Sequence, residues 1–364
     1  MATTAQQLTE PVDLLSLDES GMVQFVRGLG WPPYRARQVL RWLYRGRETD
    51  IARMSDLSRD DRTRLSNCAV ISLPRDCRAY TSEDGTKKLV FTLSDGLAVE
   101  SVLIPEDNRL TLCLSTQVGC TLDCAFCLTG TMGLRRNLRV AEILTQVLAA
   151  QHHTSPDAPI TNLVFMGMGE PLANLDALVD AIGRITNNVW GLGFSPRRIT
   201  VSTAGLATRL EELAPLGVNL AISLNATTDQ VRQRLMPAAN RLHSLRTLLA
   251  ACRAYPLPPH RRLTFEYVLL GGVNDGLDDA RRLVSLLQGL RGKVNLIPFN
   301  PFPGSLFRRP SDETVNAFQD VLHRAGLDAF VRKSRGRDVL GACGQLGNVE
   351  ADAAITLTQI QSRC

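Results

Sequence analysis

Two hydrophobic patterns divide the chain. From Ser20 to about Ile71 the apolar residues recur at helical spacing, and within 34–45 they form one stripe with arginines on the opposite face. A further short helix is expected at 56–66, whereas the polar residues 1–19 predict a loosely ordered start. The first pattern therefore predicts a small helical unit.

The period changes at Lys87. The runs LVFTLS, AVESVLIP and LTLCLSTQ predict strands joined by short turns, after which strand and helix alternate. The later strands are expected at 162–166, 198–203, 219–225, 263–270 and 293–299, and the helices between them include 141–150, 206–213 and 278–287. With the strand before residue 119 these make six β/α units, which predicts an α/β fold with a parallel sheet and fewer units than the eight of a closed barrel.

Composition is that of an ordinary soluble globular chain, with 44% hydrophobic and 21% charged residues among 364. The sequence has no apolar run long enough to span a membrane and no basic-then-apolar export signal at its start, so we expect a cytoplasmic protein without membrane contact. Nine cysteines in such a chain indicate reduced thiols, metal ligands or redox chemistry more than a disulfide framework.

The net charge of +5 is too small to identify a partner by itself. Arginine is concentrated at 35–47 and, with one lysine, at 332–337. Such groups suit an RNA backbone, because the guanidinium fork matches phosphate. Solvated faces and ion pairs are an equally good interpretation of both groups.

The run GCTLDCAFCLTGTMG at 119–133 is the strongest chemical signal. Cys120, Cys124 and Cys127 can converge on one iron–sulfur cluster, for which cysteine is the usual ligand. Three ligands for four irons leave one iron without a protein ligand, as in catalytic metal centres. The alternative is a zinc knot, but zinc prefers four ligands and no fourth Cys or His lies nearby in the sequence.

At this run the chain resembles the radical S-adenosylmethionine (SAM) enzymes, whose signature has this spacing with an aromatic residue before the third cysteine. Flanking motifs narrow the resemblance to the RlmN/Cfr family, which methylates adenine carbons in RNA. These motifs are TLCLSTQVGC (111–120), MGMGEP (166–171), SLNA (223–226), RLMP (234–237) and LIPFNPFPG (296–304). The resemblance spans about Arg35 to Gly344 and implies an open six-unit (β/α) partial barrel, a small N-terminal helical accessory domain and a β extension.

The resemblance also implies one [4Fe-4S] cluster and SAM as cofactors. Its SAM-contacting positions fall at the carboxyl ends of the predicted strands, where parallel β/α folds bind ligands. They are Gly169, Glu170, Ser202, Ser223, Leu224, Asn225 and Asn300. Many relatives have histidine where this chain has Asn225, so the part played by that side chain is open. Each of these segments taken alone is equally consistent with an ordinary turn.

Two further cysteines define a subclass. Cys113 matches the family's resolving cysteine and Cys343 its methyl-carrying cysteine, while Glu100 matches a carboxylate proposed as proton acceptor. Without the resemblance Cys113 would be expected in the core, and Glu100 would be a surface glutamate on a strand. Cys68, Cys77 and Cys252 are expected to be core residues and Cys364 an incidental exposed one.

The resemblance implies a reaction with two SAM molecules. One methylates Cys343, and the other binds the open iron and is cleaved to a 5′-deoxyadenosyl radical that takes a hydrogen atom from the Cys343 methyl. The carbon radical adds to adenine C2, and Glu100 removes the C2 proton. Cys113 then attacks Cys343, which releases methylated RNA and leaves a disulfide.

The implied substrates are an adenosine of 23S rRNA and the adenosine 3′ to the tRNA anticodon, with an electron donor such as flavodoxin or ferredoxin; we expect a monomer. The expected division is an accessory domain at 1–80 that docks RNA or only caps the barrel, a β extension at 81–110, the barrel core at 111–335, and a loop and tail at 336–364. The alternatives are methylation at C8, as in resistance-type relatives, and a radical SAM activase or maturase that acts on protein. The protein-acting alternative predicts no role for Cys343.

Overall fold

The computed structural model describes residues 11–347, so Cys364 and the first ten residues lie outside the description. Its strands are β1 (Val12–Asp13), β2 (Ala69–Val70), β3 (Asp76–Thr81), β4 (Lys87–Thr92), β5 (Ala98–Glu106), β6 (Arg109–Cys113), β7 (Gln117–Gly119), β8 (Leu134–Asn137), β9 (Asn162–Phe165), β10 (Ile199–Thr203), β11 (Asn219–Ser223), β12 (Leu263–Leu269), β13 (Gly292–Pro298) and β14 (Ala329–Val331). Its α-helices are α1 (Glu19–Gly28), α2 (Tyr34–Tyr44), α3 (Arg59–Cys68), α4 (Leu128–Thr131), α5 (Val140–Ala150), α6 (Leu175–Thr186), α7 (Asp229–Leu235), α8 (Pro237–Leu242), α9 (Leu245–Ala254), α10 (Leu277–Leu287) and α11 (Asp312–Arg324). No helix among the described residues is both long and apolar enough to cross a membrane.

Helices α1 to α3 form the predicted N-terminal unit. The stripe on α2 is buried as expected, with Val39, Leu40, Leu43 and Tyr44 inaccessible to solvent. Helices α1 and α3 begin at side-chain caps, since Asp18 accepts from the Gly21 N–H and Ser58 from the Asp61 N–H. The predicted helix at 56–66 is therefore confirmed with a start two to three residues later.

The prediction that residues 1–19 are loosely ordered is wrong for the part that the structure describes. Leu14 and Leu15 are fully buried. The buried guanidinium of Arg184 on α6 donates to the Leu15 and Leu17 carbonyls at 2.8 Å. These hydrogen bonds and the burial of Leu14 and Leu15 together hold the segment against the rest of the protein. The mostly polar composition of residues 1–19 does not reveal the ordered segment.

A single open sheet of ten strands organises the rest of the described chain, in the order β14-β13-β12-β11-β10-β9-β6-β5-β4-β3. In this sheet β6 and β9 to β14 pair in parallel, whereas β3, β4 and β5 pair antiparallel and attach through β5 to β6. The expected α/β class is thus confirmed. The sheet adds a seventh parallel strand, β14, whose three residues are too few for a period to stand out in the sequence.

The helices that cover the sheet follow the predicted alternation. The expected helices at 141–150 and 278–287 correspond to α5 and α10 within one residue. The segment expected as a helix at 206–213 is a 3₁₀ helix, Ala207–Leu216, with Pro215 inside it and Gly217 closing it at φ 62°. Proline removes a backbone donor that a continued α-helix needs, which explains the difference.

Two apolar clusters show how the sheet curves. The large one lies between the sheet and its helices. The smaller one gathers residues from the carboxyl ends of β10, β12 and β13, namely Ala204, Leu270 and Phe299, with Leu122 and Phe126 from the three-cysteine loop. Strand ends this far apart in the sheet order meet one loop only if the sheet curls around it, as in a partial barrel.

Candidate active site at the carboxyl ends of the parallel strands

The three-cysteine loop is held between the short antiparallel strands β7 and β8. Gly119 has φ 76°, and a Cβ there would lie 1.9 Å from the Gly133 carbonyl oxygen, so only glycine fits this crossing. The Cys120 N–H donates to the same carbonyl at 3.2 Å. The two ends of the loop are therefore held together at the position of its first cysteine.

The three cysteines share one microenvironment. All three pack against the smaller apolar cluster. Burial raises the pKa of the Cys120 thiol to about 12 and also raises the pKa values of Cys124 and Cys127. The charge of each neighbouring thiolate raises the pKa of Cys124 further, which places Cys120 and Cys127 close to it. A metal offsets this cost, because coordination deprotonates thiols.

The donor set fits an iron–sulfur cluster. Within residues 11–347 no three Cys, His, Asp or Glu side chains lie close enough to hold a single metal ion. The cysteines of a cubane each bind a different iron, so they need to surround a common space and do not need to meet at one point. The Leu122 N–H donates to the Cys120 sulfur at 3.3 Å, a contact that helps to stabilise a thiolate.

The loop that carries Cys343 lies directly on the three-cysteine loop. The Leu128 N–H donates to the Gly344 carbonyl at 2.7 Å, and the Thr129 hydroxyl donates to the Leu346 carbonyl at 2.5 Å. The Asn300 side chain donates to the Cys343 carbonyl at 3.1 Å. Two separate parts of the chain, at 128–129 and at Asn300, thereby fix the position of the Cys343 loop.

Cys343 is accessible to solvent although Ala342 beside it is buried. Burial by the surrounding protein nevertheless raises the pKa of its thiol, and the Arg332 charge opposes that rise. Both facts fit a thiol at the inner wall of an open recess. Buried Cys113, at the end of β6, lies near it, since the charge of Cys343 adds to the burial that raises the Cys113 pKa.

Glu100 is fully buried, so the alternative of a surface glutamate is wrong. Its Oε1 lies 3.5 Å from the Nζ of the equally buried Lys88, and its Oε2 accepts from the Gly347 N–H at 3.0 Å. The burial of Glu100 could not be predicted from alternation along the strand, because β5 is buried on both faces. Glu100 therefore contacts the same C-terminal segment that carries Cys343.

The predicted SAM-contacting residues lie at the strand ends on the same side of the sheet. Gly169 has φ 101°, and a Cβ there would meet Gln117 at 2.6 Å. The buried Glu170 accepts from the Leu172 N–H at 3.1 Å and from the Ala204 N–H at 2.8 Å. Burial raises the pKa of Glu170, and hydrogen bonds from Ala204, Thr203 and Leu172 oppose the rise.

The next three strand ends differ in what they offer a ligand. The hydroxyls of Ser202 and Ser223 lie 3.3 Å apart on neighbouring strands, and Leu224 is buried behind them. Asn225 is also buried, at φ 54°, and its side chain accepts from the Val268 N–H at 2.9 Å. Asparagine tolerates this left-handed conformation better than most residues. The backbone conformation and the hydrogen bond to Val268 therefore explain why asparagine stands at this position. In contrast, Asn300 Oδ1 is buried without a hydrogen bond in the described residues, as expected of an acceptor that awaits a ligand.

The remaining cysteines have mixed outcomes. Cys252 is buried, as predicted, and Cys77 is half buried and packs against the large apolar cluster. Cys68 is half buried outside both clusters, so its assignment to the core is wrong. Cys77 lies 3.3 Å from His153 Nε2 at the edge of the sheet. Sequence reasoning also missed Lys88 and Arg232, two buried cations at the site. The signal for Arg232 was its helical spacing with the apolar Leu235 and Met236.

Two family models match the chain. Residues 12–71 match the ribosomal RNA large subunit methyltransferase N-terminal domain, and residues 114–284 match the radical SAM superfamily. A dual-specificity RNA methyltransferase RlmN from Geobacter sulfurreducens is 52% identical over 93% of this chain and 92% of its own length. Another, from Halorhodospira halophila, is 45% identical over 96% of this chain and 97% of its own length. A crystal structure of a radical SAM methyltransferase from Sphaerobacter thermophilus has 42% identity and a TM-score of 0.88, with coverage of 92% of this chain and 99% of that one.

Fold, cysteine loop and strand-end residues together define a radical SAM enzyme. Such enzymes use an iron–sulfur cluster and SAM. The chain belongs to the RlmN family, whose matched members carry the name dual-specificity RNA methyltransferase.

Replacing Cys120, Cys124 and Cys127 together by alanine is expected to abolish cluster binding, because all three proposed thiolate ligands are then lost. Iron content and visible absorption after anaerobic reconstitution measure the loss. Cys68→Ala, at a half-buried position on α3, is the matched control and is expected to bind the cluster normally. A triple variant that keeps the absorption of the wild type would contradict the assignment.

Proposed function

We propose that this protein methylates C2 of an adenosine in 23S rRNA and of the adenosine 3′ to the anticodon in tRNA. The names of the matched relatives support action on RNA. The observation that carries the proposal is the position of Cys343, whose loop is hydrogen-bonded to the three-cysteine loop and whose charge raises the pKa of Cys113. A radical SAM enzyme that does not use cysteine for methyl transfer has no need of this arrangement.

The cofactors would be held by residues already described. Cys120, Cys124 and Cys127 bind the cluster, and SAM is bound at Gly169, Glu170, Ser202, Ser223, Leu224, Asn225 and Asn300. When bound, the cluster and SAM supply the methyl group and the radical chemistry that a non-nucleophilic ring carbon requires. An electron donor such as flavodoxin or ferredoxin would supply the electron that the cluster needs.

Cys343 acts as the methyl acceptor. Its sulfur becomes a thioether, and the carbon of that methyl forms the new bond to adenine C2. The exposed guanidinium of Arg332 favours the thiolate that this step needs, because its charge opposes the rise of the Cys343 pKa. The hydrogen bonds from Leu128 and Asn300 to this loop hold the sulfur in place while the base enters.

Glu100 takes the proton that C2 loses, and the radical adduct would return its unpaired electron to the oxidised cluster. Lys88 Nζ, 3.5 Å away, is placed to stabilise the negative charge of the Glu100 carboxylate before the transfer. The hydrogen bond from the Gly347 N–H covers the other oxygen. We infer that the segment that follows Cys343 shifts when RNA enters, so that this oxygen can face the adenine.

Cys113 resolves the covalent adduct. Its thiolate attacks the Cys343 sulfur, a disulfide forms, and the bond from sulfur to the methylene carbon breaks. That carbon gains a proton and remains on the RNA as the methyl group. The charge of Cys343 raises the pKa of the Cys113 thiol, which supports the proximity that this step needs, and an external reductant then restores both thiols.

We propose that the accessory domain at 1–80 docks RNA and that 81–110, 111–335 and 336–364 are the extension, the core and the methyl-carrying tail. Some arginines of 35–47 form ion pairs within the protein, and others are free to contact an RNA backbone. Arg35 and Arg37 form ion pairs with Asp61 at 3.6 Å and Glu19 at 2.7 Å. Arg41 and Arg47 are exposed and make no ion pair within residues 11–347, which leaves them available for phosphate. The protein acts as a cytoplasmic monomer in this proposal.

The cysteine roles predict two different failures. Cys343→Ala should bind a cluster and SAM yet never place a methyl group on protein or RNA. Cys113→Ala should form the adduct and then stall, so it should accumulate a covalent complex with RNA through Cys343. Denaturing electrophoresis of protein purified from cells, with and without ribonuclease, measures this complex. Cys252→Ala, a buried cysteine outside the site, is the control.

If both cysteines are only packed small residues, each alanine variant loses modest stability and neither traps RNA. A Cys113→Ala protein that methylates RNA as well as the wild type, with no complex, would show that the proposed cysteine chemistry is wrong.

The docking proposal predicts a loss of salt-dependent binding. Replacing Arg41 and Arg47 by alanine should weaken RNA binding and lower the slope of log affinity against log salt by roughly 0.9 for each lost phosphate contact. Filter binding at several salt concentrations measures both. The control removes Arg281 and Arg324, two exposed arginines on the outer helices α10 and α11 that form ion pairs with Asp278 and Asp320. Equal effects of the two double variants would mean that the N-terminal unit does not dock RNA.

A further inference from the structure

Arg232 is one of the largest fully buried side chains of the described protein. It lies on α7, and its two terminal nitrogens donate to the His243 carbonyl at 3.0 Å and the Ala204 carbonyl at 2.6 Å. Its Nε makes no hydrogen bond, and no carboxylate forms an ion pair with it within residues 11–347. Burying a cation away from water is costly unless an anion compensates it, and two carbonyl dipoles supply only part of that compensation.

The position of Arg232 indicates which anion is missing. The Ala125 N–H donates to the Leu235 carbonyl at 2.9 Å, so the end of α7 is hydrogen-bonded into the three-cysteine loop. The charge of Cys124 is the largest of the influences that stabilise the Arg232 cation against its burial. The Ala204 peptide links Arg232 to the opposite wall of the site, because its N–H donates to Glu170 while its carbonyl accepts from Arg232.

Nearby carboxylates are already engaged elsewhere. Asp229, on the same helix, accepts from the Leu245 N–H at 2.9 Å, and Glu170 accepts from two backbone N–H groups. The anion that suits the buried guanidinium is therefore a cluster bound by three thiolates. Reduction of such a cluster adds one negative charge, and a fixed positive charge nearby stabilises the reduced form.

We propose that Arg232 is the built-in counter-charge of the iron–sulfur cluster and that it raises the reduction potential of the cluster. Arg232 acts through the cluster and does not touch the RNA, so it is a positioning and tuning residue. This inference rests on the cluster assignment in the proposed function. It assigns a role in electron uptake to a residue on α7 that contacts the end of β10 and lies behind the three-cysteine loop.

The test is a potentiometric titration of the reconstituted cluster in the full-length protein, followed by electron paramagnetic resonance with dithionite as reductant and without SAM. At the midpoint of the wild type, the ratio of reduced to oxidised cluster in Arg232→Met should fall about tenfold for the loss of a nearby charge, equivalent to about 59 mV for one electron. Arg232→Gln should shift in the same direction, because its amide can still donate to a carbonyl but has no charge. Arg232→Lys should titrate close to the wild type.

Arg234→Met is the matched control, since this arginine is exposed on the same helix and its charge is screened by water. Neutral variants that hold the cluster and titrate at the wild-type midpoint would overturn the proposal, as would a lysine variant that shifts as far as the glutamine variant. A normal midpoint combined with weaker SAM binding would assign Arg232 to the SAM carboxylate instead. A wild-type protein that takes up no cluster would contradict the proposed function itself, an outcome distinct from a failure of Arg232 alone.

Discussion

The hydrogen bond from the Leu128 N–H to the Gly344 carbonyl joins two parts of the chain that are far apart in sequence, and the chemistry of the site depends on it. It fixes the Cys343 loop on the loop that carries the cluster cysteines. The contacts from Thr129, Asn300 and Glu100 reinforce that position. In the proposed mechanism Cys343 and the cluster act on the same small group, so a shift of about one ångström at this junction would cost a large part of the rate. The open sheet serves the same constraint, since its curvature brings the ends of β10, β12 and β13 around the cysteine loop.

Three cations surround this junction, two of them buried and one exposed. Lys88 and Glu100 form a buried pair on the extension strands, whereas Arg232 lies buried behind the cysteine loop without an ionic partner in the described residues. Arg332 is exposed at the edge of the barrel next to Cys343. In the proposed mechanism each cation faces a group that is anionic during part of the reaction, namely the Glu100 carboxylate for Lys88, the cluster for Arg232 and the Cys343 thiolate for Arg332. A buried charge is retained at a cost in stability, which suits a functional role better than a structural one.

How far the sequence predicted this site depended on whether each signal was local. The spacing of Cys120, Cys124 and Cys127 is local, so their chemistry followed from the residues alone. The roles of Cys343, Cys113 and Glu100 came only from family resemblance, because their proximity depends on strand order and on a loop contact across the chain. Lys88 was missed because a cation on a strand gives no sign of its burial in the sequence. Arg232 was missed because its one signal, the helical spacing with Leu235 and Met236, is weak. The strand β14 was missed because three residues carry no period, and the 3₁₀ segment at Ala207–Leu216 because proline interrupts a helical pattern.

Isotope labelling of the RNA product tests the central claim that the methyl carbon passes through Cys343. Cells in which this protein is the only source of the modification are grown with methionine whose methyl group carries three deuterium atoms, and nucleosides from 23S rRNA and tRNA are analysed by mass spectrometry. The Cys343 methyl loses one hydrogen atom before the carbon–carbon bond forms and regains one from water on release. The account therefore predicts 2-methyladenosine with two deuterium atoms in both RNAs. A methyl group that keeps all three deuterium atoms, or one found at C8, would contradict it.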